Sequence, residues 1–169
     1  MEKSFTLVEL LVVLSMIGIL SLMTFSGIKS SQSNLSVLRS AFALSTEIRK
    51  AQEWALGQKD EKKRYGIYVQ QNPENKIILF CDDNNNGTYQ PPDIIIEDFI
   101  QDLKGLEKGV FIKSISPNSP LNIVFEAPQP IVYFDGNQSP SEAEIVLSNG
   151  SFDAKVKVNR AGLIWVTTQ

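Results

Sequence analysis

The segment from Asp82 to Asp93 carries side chains whose types and spacing could bind a metal ion. It reads DDNNNGTYQPPD, with oxygen-bearing side chains at positions 1, 3 and 5, a glycine at position 6 and an aspartate at position 12. A twelve-residue calcium loop takes its ligands at this spacing. The ligands would be Asp82, Asn84, Asn86, the Thr88 carbonyl and Asp93. The sequence therefore predicts calcium as the candidate cofactor.

The same segment has a second interpretation that needs no metal. Asn and Asp favour turns because their side chains hydrogen-bond to the nearby backbone, so an Asx-rich turn between two strands is an equal alternative. Asp93 is also shorter than the glutamate that usually ends a calcium loop. Because Asp82 and Asp93 should repel each other without calcium, removing both is expected to cost little stability.

Composition gives little support to other chemistry. The 169 residues include no histidine and a single cysteine, Cys81, so the sequence offers neither a nucleophile with a histidine base nor an intrachain disulfide. The net charge is −3 and the pI is near 5.0. The chain therefore lacks the overall positive charge that drives non-specific nucleic-acid binding. The sequence therefore predicts that the protein is not an enzyme, and it disfavours DNA as a partner.

Glu9 is the second candidate functional residue. It is the one ionisable residue in the twenty-four positions 5–28, which are long enough to cross a bilayer as a helix. A carboxylate in such a segment is costly unless it is paired, and therefore indicates a function. Lys3, with no other basic residue before Lys29, favours a cytoplasmic N-terminus. A plain signal anchor is the alternative interpretation.

Residues 4–11, SFTLVELL, closely resemble the cleavage and assembly signal of type IV pilins and type II secretion pseudopilins. The resemblance implies that a prepilin peptidase cuts between Ser4 and Phe5, which makes residues 1–4 a leader peptide, and that the new N-terminus at Phe5 is methylated. Ser4 stands where the family usually has glycine. The resemblance also implies that the Phe5 amine pairs with Glu9, within one subunit or on a neighbour, as helices stack into a filament.

Residues 29–57 are predicted to continue the same helix as an amphipathic segment that ends at Gly57. Two rows of apolar residues are expected to form one broad stripe. One row is Leu35, Leu38 and Phe42, and the other is Val37, Ala41, Leu44, Ile48, Ala51 and Ala55. The width of this stripe favours packing under a sheet over a coiled coil with another protein.

Residues 58–169 are predicted to form a β-rich head, in which the apolar period changes to two. The nine predicted strands are 65–70, 76–81, 94–99, 110–115, 121–126, 131–134, 143–148, 154–159 and 163–167. Turn residues separate them, and Asn149-Gly150 predicts a hairpin. The predicted fold class is α+β: a long N-terminal helix, half membrane-spanning and half amphipathic, packed on two antiparallel sheets.

Three segments of the head resemble the H-type minor pseudopilins and FimT-like minor pilins: NIVF at 122–125, AEIVL at 143–147 and KVNRAGLIWV at 157–166. The resemblance implies a minor structural and assembly subunit of a type IV pilus or type II secretion pseudopilus. It implies a single-pass inner-membrane protein, held in lipid by residues 5–28, whose head lies outside the cytoplasm before it enters the filament. Implied partners are the prepilin peptidase, other pilin subunits and the inner-membrane assembly platform. The alternative is a binding module for DNA uptake or adhesion.

Overall fold

The computed structural model describes residues 6–57, 64–71, 75–90, 93–98, 106–127 and 131–168, with the backbone alone at 23–30 and 97–98. Its contacts divide the chain into two compact units, Met1–Leu35 and Ser36–Gln169. The leader 1–4 and the predicted cleavage residues Ser4 and Phe5 lie outside the described residues. The second unit therefore begins within the predicted amphipathic helix and contains the whole predicted head.

The structure has a helix, α1 (Leu7–Leu56), where the sequence predicts one helix continuing from the apolar segment into the amphipathic segment. The helix ends at Leu56, next to the predicted stop at Gly57, and Gly57 donates its N–H to the Glu53 carbonyl at 2.7 Å. A Cβ atom on Gly57 would lie only 3.0 Å from that same carbonyl oxygen. Glycine at this position therefore lets the last turn close tightly.

In the first unit, apolar side chains surround α1 on every face. Twelve large apolar side chains between Leu7 and Leu22 are at least 45% exposed, and they include the consecutive run from Leu10 to Leu14. A helix that is apolar all round has to be covered by lipid or by protein. Within the described part of the chain, no helix has the length and hydropathy of a membrane span. The membrane-spanning half predicted at 5–28 is thus not shown and stays a prediction.

Among its described residues, the second unit contains nine strands, each within one residue of its predicted ends. They are β1 (Arg64–Gln70), β2 (Lys76–Asp82), β3 (Ile94–Asp98), β4 (Phe111–Ser116), β5 (Leu121–Glu126), β6 (Ile131–Phe134), β7 (Glu142–Ser148), β8 (Asp153–Asn159) and β9 (Ile164–Thr168). They form two antiparallel sheets, with strand orders β3-β2-β1-β5-β6 (sheet A) and β4-β7-β8-β9 (sheet B). The predicted α+β class with two antiparallel sheets is confirmed.

A single row of α1 packs into the core between the two sheets. Its six members have no exposed surface and share one apolar cluster with the inner faces of both sheets: Val37, Ala41, Leu44, Ile48, Ala51 and Ala55. The strands supply alternate residues to the same cluster, as in β8, where Ala154, Val156 and Val158 are buried. The row predicted from its helical spacing is therefore confirmed as core.

The prediction that the second row, Leu35, Leu38 and Phe42, faces the core together with the first row is wrong. Phe42 is 57% exposed and Leu35 is 45% exposed, while Leu38 is partly buried at the edge of the cluster. At about 100° per residue, Phe42 lies about 140° round the helix from the centre of the buried row, and Leu38 lies about 100° from it. The two rows thus do not form one stripe, and the core covers a narrower part of the helix than the sequence suggested.

The predicted Asn149-Gly150 hairpin is present, but its loop has four residues. Ser148 pairs with Asp153, and the Asn149 side-chain oxygen accepts the N–H groups of Ser151 and Phe152, both at 2.9 Å. Gly150 has φ +91°, a conformation that favours glycine. The asparagine therefore closes the turn through its side chain, which a two-residue turn would not require.

Two substitutions in α1 test which side chains of the helix lie in the core. Leu44→Ala should lower the free energy of unfolding by about 2–5 kcal/mol because it leaves a cavity in the core. Phe42→Ala should change it by no more than about 0.5 kcal/mol, since the ring is exposed. Denaturant unfolding of the detergent-solubilised chain, followed by circular dichroism, measures both. Equal losses for the two variants would contradict the assignment.

Candidate functional site

The predicted calcium segment forms the connection between two antiparallel neighbours in sheet A. Asp82 is the last residue of β2, and Asp93 immediately precedes β3. Asp82 has no exposed surface and Asp93 is 9% exposed, so both carboxylates lie inside the loop 82–93. The two ends of the predicted site are therefore brought together, as the sequence requires.

The Asp82 carboxylate organises the first half of the loop. Its Oδ1 accepts the N–H of Asn86 at 3.1 Å, and its Oδ2 accepts the N–H of Gly87 at 2.8 Å. Burial raises the pKa of Asp82, and the negative charge of Asp93 adds to the rise, whereas the two backbone hydrogen bonds oppose it. These N–H groups are what makes a buried carboxylate tolerable here.

The Asp93 carboxylate organises the second half of the loop in the same way, by accepting backbone N–H groups. Its Oδ1 accepts the N–H of Asp83 at 3.3 Å and its Oδ2 accepts the N–H of Gln90 at 2.8 Å. The Asp93 N–H in turn donates to the Gln90 carbonyl at 2.8 Å. Asp93 thereby ties the beginning of the loop to its end.

The two predicted asparagine ligands also accept hydrogen bonds within the loop. Asn84 Oδ1 accepts the N–H of Asn86 at 3.0 Å, and Asn86 Oδ1 accepts the N–H and the hydroxyl of Thr88 at 2.7 and 2.8 Å. Such contacts define Asx turns. All four predicted side-chain ligands thus already serve as hydrogen-bond acceptors.

Two glycines hold the loop against a neighbouring turn of the sheet. Gly87 has φ +76° and Gly136 has φ +74°. A Cβ atom on Gly87 would lie 2.7 Å from the Gly136 Cα, and one on Gly136 would lie 2.8 Å from the Asn86 carbonyl oxygen. Both conformation and space therefore require glycine at the two positions.

A buried amide side chain connects the loop to β5. Asn122, 7% exposed, accepts the Tyr89 N–H on its Oδ1 at 2.8 Å. Its own N–H and Nδ2 both donate to Asp135 Oδ1, at 2.8 and 2.9 Å. The Tyr89 ring packs on the outer face of sheet A, 5.2 Å from Tyr68 and 5.3 Å from Phe80 between centroids.

A charged network holds the outer side of the loop. Arg64 donates to the Asn85 carbonyl at 3.0 Å and to Glu126 Oε1 at 2.7 Å, and its guanidinium lies 4.7 Å from the centre of the Tyr133 ring. The Tyr133 hydroxyl donates to Glu126 Oε2 at 2.6 Å. Burial alone would raise the pKa of Glu126, but these hydrogen bonds and the Arg64 charge together hold it below its usual value.

Among the described residues, no group of three or more His, Cys, Asp or Glu side chains could hold a metal ion. The predicted calcium set has a different composition, with two carboxylates, two amides and the Thr88 carbonyl. The Asp82, Asp93 and Asn84 oxygens each accept one of the hydrogen bonds described, which leaves a lone pair on each, whereas Asn86 Oδ1 already accepts two. Carboxylate and amide oxygens are donor types that calcium accepts. Calcium binding at this loop stays a prediction.

The structure changes one expectation about the loop. Removing Asp82 and Asp93 was expected to cost little without calcium, because the two carboxylates repel each other. Each carboxylate accepts two backbone N–H groups, however, and an unpaired buried donor costs about 1–3 kcal/mol. We therefore expect Asp82, as the partner of the buried Gly87 N–H, to contribute to the stability of the loop in the absence of any ion.

Glu9 lies in the first turn of α1, where it caps the helix. Thr6 precedes the helix, and its hydroxyl accepts the Glu9 N–H at 3.3 Å. Glu9 Oε2 in return accepts the Thr6 hydroxyl at 3.1 Å and the Thr6 N–H at 3.4 Å. This is a capping box, and its Thr-x-x-Glu spacing is visible in the sequence, although the prediction overlooked it. The negative charge also suits the positive end of the helix dipole.

Comparison with known proteins gives one finding, at the N-terminus. A family model described as the prokaryotic N-terminal methylation motif matches residues 1–25. No curated protein and no solved structure matches the chain. The motif includes Ser4, Phe5 and Glu9, and it indicates a type IV pilin-like precursor, processed by a prepilin peptidase and assembled with other pilins.

Asp82→Ala tests the carboxylate as a structural acceptor. We expect the variant to lose about 1–3 kcal/mol of unfolding free energy, chiefly because the buried Gly87 N–H loses its hydrogen-bond acceptor. The Asn86 N–H keeps its hydrogen bond to Asn84 Oδ1. Asp83→Ala is the matched control, since that side chain is exposed and the backbone N–H remains. Denaturant unfolding in a calcium chelator measures both variants. A loss no larger than that of the control would contradict the role of Asp82.

Asn84→Ala tests calcium with little disturbance of the loop, because the Asn86 N–H keeps its bond to Asp82. We expect millimolar calcium to raise the melting temperature of the wild type, and the variant to need a higher calcium concentration for the same shift. Magnesium at the same concentration is the control for ionic strength. If calcium leaves the wild-type melting temperature unchanged, the loop is an Asx-rich turn without a metal.

Proposed function

We propose that this protein is a minor pilin or pseudopilin, a structural and assembly subunit of a type IV pilus or type II secretion pseudopilus. Two observations support the proposal: the methylation motif at residues 1–25 and the β-rich second unit. The protein would be held in the inner membrane by residues 5–28, with its head outside the cytoplasm, and then enter the filament. It would act by assembly and not by catalysis.

The observation that carries the proposal is the exposed apolar surface around the N-terminal part of α1. The twelve exposed apolar side chains between Leu7 and Leu22 need an apolar environment, since transfer of such surface from water is favourable. Lipid supplies it before assembly, and the helices of neighbouring subunits supply it in a filament. A single helix with no partner would leave this surface in water.

Glu9 has a role at both stages. In the described chain it satisfies the Thr6 N–H and hydroxyl at the start of the helix. Cleavage before Phe5 would place a positively charged amine one residue before Thr6, where the Glu9 carboxylate of the same or a neighbouring subunit can pair with it. A charge pair in an apolar bundle selects one register more than it adds stability. The carboxylate would thus set how subunits stack.

The alternative function, a receptor for DNA, finds less support in the surface charges. Three lysines on the outer face of sheet B each contact a carboxylate: Lys113 with Asp153, Lys155 with Glu144, and Lys157 with both Glu142 and Glu144. Hydrogen bonds from Lys113 lower the pKa of Asp153, and those to Glu142 and Glu144 raise the pKa of Lys157. These lysines are neutralised locally, so they give no basic patch for phosphates.

Substitution of Glu9 separates assembly from helix capping. Glutamine also serves in a capping box, so Glu9→Gln keeps the cap and removes only the charge. We expect Glu9→Gln and Glu9→Ala to reach the membrane fraction in wild-type amounts, yet to be at least about tenfold depleted from sheared filaments. Immunoblotting of the two fractions from the native host, with the wild type as reference, measures this.

The two variants together decide the role of Glu9. Loss from filaments in both supports the charge pair. Normal incorporation of Glu9→Gln with loss of Glu9→Ala would assign the residue to the cap alone and contradict the pairing. Thr6→Val is the control for the cap, because it removes the hydroxyl and leaves the Glu9 charge in place.

A further inference from the structure

Two asparagines in the chain are followed directly by glycine, in the pairs Asn86-Gly87 and Asn149-Gly150. The backbone nitrogen after an asparagine can attack the side-chain amide carbon and close a succinimide ring, and glycine has no side chain to obstruct that approach. The sequence does not separate the two sites, because both contain the same pair of residues. Their surroundings in the structure therefore decide which one reacts.

Gly87 is held in place on two sides. It is buried, and its N–H donates to the Asp82 carboxylate at 2.8 Å. A hydrogen bond to an ionised acceptor is stronger than one to a neutral acceptor. On the other side, the backbone contacts a second turn, since a Cβ atom on Gly87 would lie 2.7 Å from the Gly136 Cα. The Gly87 nitrogen therefore has little freedom to move toward the Asn86 side chain.

Gly150 lies at the tip of the β7–β8 hairpin, in a more open setting. It is exposed, and among the described residues beyond its chain neighbours no atom lies within 4 Å of the position that a Cβ atom would take. Its N–H donates to the neutral Ser148 hydroxyl at 3.0 Å, a weaker acceptor than a carboxylate. Local opening of an exposed loop tip costs little free energy. The Gly150 nitrogen can therefore approach Asn149 while the strands stay paired.

The side-chain carbonyl of Asn149 is prepared for this attack. Its Oδ1 accepts the N–H groups of Ser151 and Phe152, both at 2.9 Å. Negative charge develops on that oxygen when a nitrogen attacks the carbon, and N–H groups already directed at it stabilise the charge. Asn86 Oδ1 has the same advantage, since it accepts the N–H and the hydroxyl of Thr88. The setting of the glycine nitrogen therefore distinguishes the two sites.

We propose that Asn149-Gly150 is a site of spontaneous deamidation in the folded protein, and that the fold protects Asn86-Gly87. The Gly150 nitrogen forms a bond to Asn149 Cγ, the bond from Cγ to Nδ2 breaks, and ammonia leaves with the proton of the Gly150 N–H. Water then opens the ring at one of its two carbonyl carbons. Opening at the backbone carbonyl gives isoaspartate, and opening at Cγ gives aspartate.

The modification falls on the hairpin that joins the two central strands of sheet B. Aspartate keeps a side-chain oxygen acceptor and adds a negative charge. Isoaspartate carries the main chain through the former side chain, which lengthens the loop from Asn149 to Phe152 by one carbon. The turn that the asparagine side chain closes is thereby altered in one of the two products.

Peptide mapping of the full chain in maltoside detergent tests the proposal. The protein is incubated at mildly alkaline pH with a calcium chelator and digested under acidic conditions that slow the cyclisation. Mass spectrometry then measures the change of amide to acid at Asn86 and Asn149. In the folded protein we expect Asn149 to convert at least about tenfold faster than Asn86. The same chain unfolded in denaturant is the control, where the two sites should convert at similar rates.

One variant tests why Asn86 is protected. Asp82→Ala removes the acceptor of the Gly87 N–H, so conversion at Asn86 should rise at least about fivefold while conversion at Asn149 stays unchanged. Circular dichroism checks that the variant remains folded. An unchanged rate at Asn86 would refute protection by Asp82.

The wild-type measurements alone can overturn the proposal. Equal rates at Asn86 and Asn149 in the folded protein would contradict it, as would an unreacted Asn149 when the unfolded chain has converted. Chromatographic separation of the Asn149 peptides gives the route of the reaction. Isoaspartate together with aspartate supports the succinimide, whereas aspartate alone would show direct hydrolysis and exclude attack by the Gly150 nitrogen.

Discussion

The contact between one row of α1 and the inner faces of both sheets is the interaction on which the second unit depends. Six residues from Val37 to Ala55 have no exposed surface, and they share one apolar cluster with residues of both sheets. Ala41, Ala51 and Ala55 contribute small side chains to this cluster. The last turn of this helix lies beside the start of β1, where the Trp54 and Tyr65 ring centroids are 6.0 Å apart.

The loop 82–93 depends on a second constraint, the close approach of two turns. Gly87 and Gly136 leave space for backbone contact, and Asn122 joins the same two turns through its amide. With those anchors in place, Asp82 and Asp93 direct their oxygens at backbone N–H groups inside the loop. A calcium ion would therefore add to a loop that is already closed, and its effect should be a stabilisation and not a folding switch.

The sequence predicted the elements well and their contacts less well, for physical reasons. Strand positions follow from a period of two and from turn residues, so all nine were located to within one residue. Phe42 was misplaced because apolar character alone does not reveal which part of a helix faces the core. The contacts of Asn122 and Gly136 with the loop join residues distant in sequence, and no local pattern encodes them. The Thr6–Glu9 cap, in contrast, is local, and its spacing could have been recognised.

We infer that the N-terminal part of α1 belongs to a precursor that is cut and then assembled. Glu9, the exposed apolar side chains that follow it and the methylation motif all bear on that one claim. Intact-mass spectrometry of the protein from its native host, with and without the prepilin peptidase, tests it most directly. We expect the peptidase to remove Met1 to Ser4 and the mature chain to begin with a methylated Phe5. Retention of Met1 in the presence of an active peptidase would contradict it.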